Sequence, residues 1–281
     1  MTNLEDKAKK LADALSEVSS ALVAFSGGTD STLLLKMCIT NVQGRVVAAT
    51  AISPLHGEAG HAIGIAQQMG AELVCLNVPV MENPAFRMNP PNRCYICKHS
   101  IFQGMLDLAK TEGLETVMEG SIVDDLNEFR PGRRALADLE ILSPLIEAGL
   151  TKADVRELSS IKGLATANRP SGTCLATRFP YGAELTAEWL TRVGDAEEVI
   201  RGFVDGQVRV RARGCDASIE VGKPQVAALM ESGTMRKIRD SFTELGFMNV
   251  VVDPEGYRSG SMDEDLSKEE RNAALGGGES S

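Results

Sequence analysis

Several residue groups in this 281-residue chain are suited to chemistry. One is Ser26-Gly-Gly-Thr-Asp-Ser31, preceded by the apolar run Ala21-Leu-Val-Ala-Phe25 and followed by Thr32-Leu-Leu-Leu-Lys-Met-Cys38. A buried strand that breaks at glycines and passes into a helix makes a seat for phosphate. Gly27 and Gly28 let the backbone approach an anion with no Cβ in the way. The helix's unpaired N–H groups and positive dipole end face that anion. Thr29 and Asp30 are placed to cap the helix. The string is neither the lysine-bearing phosphate loop G-x-x-x-x-G-K-[ST] nor the dinucleotide fingerprint G-x-G-x-x-G.

The cysteines form a further group. Cys94 and Cys97, in Cys94-Tyr-Ile-Cys97, can share a metal or cluster, can form a redox disulfide, or can be unrelated buried thiols. Arg93, Lys98 and a following helix start should lower their thiol pKa values. With no second C-x-x-C, a closed four-cysteine zinc site is disfavoured, and Cys174 could be the third ligand of a three-cysteine cluster. Cys174 lies in Asn168-Arg-Pro-Ser-Gly-Thr-Cys-Leu-Ala-Thr-Arg178, where Arg169 and Arg178 should favour the nucleophilic thiolate. A loop holding Pro170, Gly172 and charges is a poor site for a core cysteine. Cys38, Cys75 and Cys215 fall within or beside apolar patterns and read as packing.

Alternating Arg209, Arg211 and Arg213 face one side of a strand. They could hold a phosphate or carboxylate, or line a solvated edge. Asp124, Asp125 and Glu128 could bind magnesium or line a surface loop. His56, His61 and His99 form no ligand constellation, and Trp189 reads as packing.

These groups need elements to hold them. Residues 4–19 repeat Leu4, Ala8, Leu11, Leu15 and Val18 at helical spacing. Strands are expected at 21–26, 45–52, 71–78 and 116–122, with a last short one at 141–145. Helices are expected at 31–38, 57–69, 98–110 and 151–161, the last opening on Thr151 with Asp154 in a near capping box. This alternation predicts an α/β fold, a parallel sheet with helices on both faces, and ligands at the strands' carboxyl ends. The proline-rich 83–93 and the polar 124–134 read as loops. Beyond about residue 183 the order becomes α-β-β-α-β: helix 185–203, strands 207–213 and 217–221, helix 223–245, strand 246–252. That is a small α+β domain over 183–262, following a domain over 1–180. Residues 267–281 read as a solvated, disordered tail.

Composition narrows the function classes. Hydrophobic residues make up 43%, enough for a sizeable core, and no apolar run is long enough to span a membrane. The N-terminal residues carry no signal core, so a cytoplasmic chain with reduced thiols is expected. With 29 Lys+Arg against 39 Asp+Glu the net charge is −10, which argues against general nucleic-acid binding.

Ser26-Gly-Gly-Thr-Asp-Ser31 resembles the S-G-G-x-D-S PP-loop of the ATP pyrophosphatases, which cut ATP between the α and β phosphates and adenylate a substrate. That implies a Rossmann-like, adenine nucleotide alpha hydrolase-like domain that uses ATP with Mg2+ and holds the ATP phosphates through Ser26, Gly27, Gly28, Asp30 and Ser31. In combination with N-P-P-N-R-C-Y-I-C-K at 89–98, D-D-L-N-E-F-R-P-G at 124–132, R-P-S-G-T-C-L-A-T-R at 169–178 and E-G-Y-R-S-G-S-M at 255–262, the chain resembles the LarE family of ATP-dependent sulfur transferases. The resemblance runs nearly to the tail. It implies adenylation of the carboxylates of a pyridinium-3,5-biscarboxylic acid mononucleotide and their conversion to thiocarboxylates for the nickel-pincer cofactor. Cys174 matches the family's sulfur-donor cysteine. The sulfur would come either from Cys174 itself, left as dehydroalanine, or from a [4Fe-4S] cluster on Cys94, Cys97 and Cys174. Arg178, Arg209 and Arg211 would hold a substrate phosphate or carboxylate. The resemblance also implies a homo-oligomer, a hexamer being known in the family. Competing readings are a tRNA thiolase of the same superfamily, an amidotransferase-type synthetase and a nucleotide-sensing module.

Overall fold

The computed structural model describes the chain except residues 1–2, 56–58, 128, 170–171, 173, 259, 261–263, 265 and 277–281. Glu128, His56, the Gly57 helix start, Pro170, Ser171, Thr173, parts of the 255–262 motif and the end of the tail therefore lie outside the described residues.

The chain opens with α1 (Asn3–Ser16), β1 (Ala21–Ala24), α2 (Thr29–Asn41), β2 (Val46–Ile52), α3 (Ala59–Gln68) and β3 (Glu72–Asn77). A short α4 (Pro84–Arg87), the long α5 (Arg93–Glu112) and β4 (Thr116–Met118) follow. The strands form a parallel sheet in the order β3-β2-β1-β4, as the alternation predicts. Strand β1 is central because it is apolar on both faces. Leu22 points to one core with Val47, Val117, Phe102 and Met105; Ala21 and Val23 point to the other with Leu11, Leu15, Leu34 and Met118. β2 and β4 flank β1 on opposite sides, so the chain reverses direction at the carboxyl end of β1, where open α/β sheets form a ligand crevice.

Next come α6 (Gly132–Asp138), α7 (Pro144–Glu147) and α8 (Lys152–Ile161), then α9 (Ala187–Arg201), β5 (Val208–Arg213) and β6 (Asp216–Val221). The chain continues through α10 (Val226–Met230), α11 (Ser232–Glu244), β7 (Asn249–Val252) and α12 (Lys268–Leu275). The second sheet runs β5-β6-β7, antiparallel then parallel. Its apolar face is continuous with the first core: Leu175, Ala176 and Phe179 join Leu190 and Val193 of α9 to Val210 and Ile219.

Some expectations are corrected. Asn83 caps Pro84–Arg87 by accepting the Ala85 and Phe86 N–H groups, so the proline-rich stretch contains a helical turn. Helix α5 begins at Arg93 rather than Lys98, which puts both cysteines of the pair within its first five residues. The polar 124–134 stretch leads into α6. Residues 141–145 contribute only a bridge between Met118 and Leu142, because Pro144 starts α7. The supposed tail contains α12, closed at its start by a Ser267–Glu270 capping box and anchored by buried Ala274. The Thr151–Asp154 capping box forms as expected. Among the described residues no helix is long and apolar enough to cross a membrane.

Candidate functional site

The glycine turn lies at the carboxyl end of β1. Gly27 has φ +69°, and a Cβ there would lie 2.9 Å from the Ala62 Cα, so this position accepts only glycine without displacement. Gly120, just past β4, does a matching job across the crevice: a Cβ there would lie 3.0 Å from the Ser31 amide nitrogen. Ser26 and Ser31 face each other with their hydroxyls 3.0 Å apart, and the Gly28 N–H donates to Ser26 Oγ at 3.3 Å. The expected caps do not form. Gly28 is the N-cap of α2, and no side chain caps it. Thr29 and Asp30 are instead turned outward to hold neighbouring segments, leaving the helix start uncapped at the crevice.

Those contacts bring in residues the motifs do not announce. Lys152 Nζ donates to both oxygens of Asp30 at 2.7 and 2.8 Å, placing an ammonium beside the turn although the motif lacks a lysine. A clue existed: Lys152 opens α8, where a cation opposes the helix dipole and needs another reason to be there. Thr29 Oγ1 donates to the Thr166 carbonyl at 2.8 Å. Asp124 and Asp125 are used structurally. Asp124 accepts the Lys152 N–H, while Asp125 accepts the Ile122 N–H and pairs with Arg130 at 2.9 Å.

The Thr166 contact matters because residues 164–169 lead into the segment carrying Cys174. On the far side of that cysteine, Leu175 N–H donates at 2.8 Å to the carbonyl of Leu55, in the loop after β2. The half-buried Cys174 is thus tied on one side to the glycine-turn helix and on the other to the same carboxyl edge of the sheet.

Arg178 anchors this segment. Its side chain is 2% exposed, and Nε and Nη2 donate to Glu197 Oε1 and Oε2 at 2.6 and 3.2 Å; Nη1 donates to Thr177 Oγ1 at 2.6 Å. Glu197 also accepts the Val210 N–H at 3.1 Å, so one carboxylate joins α9, β5 and the cysteine segment.

The three cysteines of interest lie within electrostatic reach of one another. Their ionisation corrects the expectation from flanking cations. Burial, and then Cys94, push the Cys174 thiol up to about 11, outweighing the opposing effect of Arg93 and Arg178. Burial likewise pushes Cys97 well above the usual thiol range, with Cys174 and Cys94 adding to it. Arg169 is not among the cations that act on Cys174; burial and nearby Arg201 lower its own pKa. Cys94 is exposed, Cys97 buried. Among the described residues no group of three or more His, Cys, Asp or Glu side chains is arranged to hold a single metal ion. Cys38 is buried as expected, but Cys75 and Cys215 are exposed, because alternate strand positions and the β5–β6 turn face solvent.

The arginine strip divides. Arg178, Arg211, Arg213 and Arg258, with Glu220 and Asp253, line a cavity of about 290 Å³. Arg211 donates to Glu220 at 2.9 Å and to the Thr177 carbonyl at 2.7 Å. Arg209 does not line that cavity. It is buried with its guanidinium 5.3 Å from the Tyr257 ring, and burial and Arg178 lower its pKa.

No protein-family model matches the chain. Curated relatives do. An uncharacterized protein of Synechocystis is 38% identical over 94% of this chain and 100% of its own length. The pyridinium-3,5-bisthiocarboxylic acid mononucleotide synthase of Lactiplantibacillus plantarum is 33% identical over 95% of this chain and 98% of its own. An uncharacterized protein of Methanocaldococcus jannaschii is 31% identical over 85% and 90%. With identity of this level along almost the whole length of both chains, this protein belongs to the family of the pyridinium-3,5-bisthiocarboxylic acid mononucleotide synthase, the LarE family.

Proposed function

We propose that the chain is an ATP-dependent sulfur transferase of nickel-pincer cofactor biosynthesis. It adenylates the carboxylates of a pyridinium-3,5-biscarboxylic acid mononucleotide and converts them to thiocarboxylates. The observation that carries this reading is the double tethering of the Cys174 segment, to Thr29 of the glycine-turn helix through Thr166 and to Leu55 through Leu175.

A carboxylate is a poor electrophile. Attack of its oxygen on the α-phosphorus of ATP gives an acyl-adenylate and releases pyrophosphate to the Ser26–Ser31 turn, beside Lys152. The triphosphate would bring its Mg2+ to the turn beside Asp30, whose two oxygens accept from Lys152. In the sacrificial route the Cys174 thiolate attacks the acyl carbon and AMP leaves, giving a thioester. Loss of the cysteine α-proton then breaks the Cβ–S bond, yielding the thiocarboxylate and dehydroalanine at 174.

The raised thiol pKa bears on the choice of route. A buried, protonated thiol is a slow nucleophile, and a metal that takes the thiol as thiolate removes that penalty. Cys94, Cys97 and Cys174 lie near enough to act on one another's ionisation, and a set of three cysteines is what a cluster with one open iron would use. When bound there, a [4Fe-4S] cluster would supply a sulfide at its open iron and spare Cys174. Arg211, in the arginine cavity, is the group for the substrate phosphate; Arg178 supports it from its pair with Glu197, and Arg209 lies behind with Tyr257. The protein acts in the cytoplasm as a homo-oligomer.

Anaerobic purification, turnover with ATP and the mononucleotide, and mass spectrometry of the Cys174 peptide test this. Pyrophosphate release and thiocarboxylate formation are expected. Loss of one H₂S from that peptide marks sacrifice, whereas an intact peptide after many turnovers, with iron and sulfide present, marks the cluster. Absence of pyrophosphate release with the mononucleotide would overturn the proposal.

A further inference from the structure

Arg93 is the first residue of α5, adjacent to Cys94, and only 4% exposed. Its guanidinium stacks on the Tyr181 ring at 4.2 Å. Its Nε and Nη1 have no hydrogen-bond partner. A buried guanidinium cannot lose its proton, so a fold that leaves two of its nitrogens unpaired carries a large desolvation cost unless something else pairs with them. The stacking covers only the face of the cation and leaves its in-plane donors unused. Close by in the chain, buried Asn89 holds a positive φ of 48° and donates through Nδ2 to the Phe179 and Pro180 carbonyls at 3.2 and 2.8 Å. Its Oδ1 too has no partner. The 89–93 stretch is therefore fixed against 179–182, just past the turn that follows Cys174, and it keeps unspent polar atoms there.

We infer that Arg93 is an anion subsite that binds the carboxylate of the substrate next to the sulfur donor. The inference rests on the sulfur-transfer reading for the identity of the anion. A stacked, planar guanidinium is preorganised to receive a carboxylate in its plane. Arg93 would then orient the acyl group toward Cys174 while the nucleotide sits at the glycine turn.

Initial-rate pyrophosphate release by the full-length protein, read within the first turnover, tests this in Arg93→Gln, Arg93→Lys and the wild type, varying ATP and the biscarboxylate mononucleotide separately. The expected result is a carboxylate KM raised about 10- to 100-fold in Arg93→Gln, with the ATP KM within about twofold. Arg93→Lys, which keeps the charge but not the planar donors, should fall between, and it carries the test if the Gln variant does not fold. A carboxylate KM unchanged in a folded variant, or ATP and carboxylate KM values rising together, would overturn the inference. Calorimetric titration with pyridine-3,5-dicarboxylate separates the two readings. If the wild type binds it but releases no pyrophosphate with the mononucleotide, the catalytic reading fails. The subsite then stands if Arg93→Lys binds the dicarboxylate more weakly, and falls if it binds equally well.

Discussion

The glycine turn and the cysteine segment sit at one edge of the sheet, yet they are built on opposite plans. The turn is made of backbone. Its shape follows from Gly27 and Gly120, and its unpaired groups at the helix start are N–H donors that need no ionisation. The cysteine segment is made of side chains. It is pinned by the buried Arg178–Glu197 pair, and burial pushes its Cys174 thiol toward the protonated form. A phosphate seat can be complete before its ligand arrives. A buried thiol, by contrast, depends for its ionisation on whatever is packed around it.

The sharpest way to break this contrast is Cys174→Ser. Thiocarboxylate formation is expected to vanish while ATP-dependent pyrophosphate release persists, because adenylation belongs to the turn; loss of both together would mean the two regions are not separable. Next in size is Glu197→Ala, which strands the buried Arg178 guanidinium. Destabilisation of about 3–5 kcal/mol is expected from thermal or urea unfolding, and a cost under about 1 kcal/mol would show that the pair does not hold the segment.

Thiol labelling sharpens the comparison without mutation. In metal-free protein, the rise of Cys174 from 9.0 to about 11 lowers its thiolate fraction at pH 7.5 by about 100-fold. Its alkylation should lag accordingly and accelerate about tenfold per pH unit until near pH 11, read peptide by peptide by mass spectrometry. Labelling as fast as that of exposed Cys215 would remove the buried-thiol argument. Gly27→Ala is expected to cost about 1–3 kcal/mol in ATP binding, from its positive φ and the Ala62 contact, with Cys174 labelling unchanged. The smallest effect is Thr29→Val, which deletes one tie between the regions; about 1 kcal/mol of stability and a modest fall in the thiolation-to-adenylation ratio are expected. An unchanged ratio would mean that Leu175–Leu55 alone sets the spacing.

Much of this arrangement was legible in the chain itself. Apolar runs alternating with stretches of helical spacing predicted the parallel sheet, because burial on two faces leaves few other ways to place residues such as Leu22 and Val23. The glycine turn was readable because its conformation is local. Helix α12 escaped notice because composition is a weak guide when one capping box and one buried alanine suffice to order a short helix.

Only the tertiary structure decided what depends on partners distant in sequence. Lys152 reaches Asp30 across 122 residues, and Glu197 meets Arg178 through a turn and a helix. The Cys174 thiol illustrates the limit most clearly. Flanking arginines predicted a readily ionised sulfur, and the fold spent one of them on Glu197, buried the thiol and set two others near it. Local sequence sets backbone shape through steric limits on φ and ψ, whereas ionisation is set by whatever folding packs around the group.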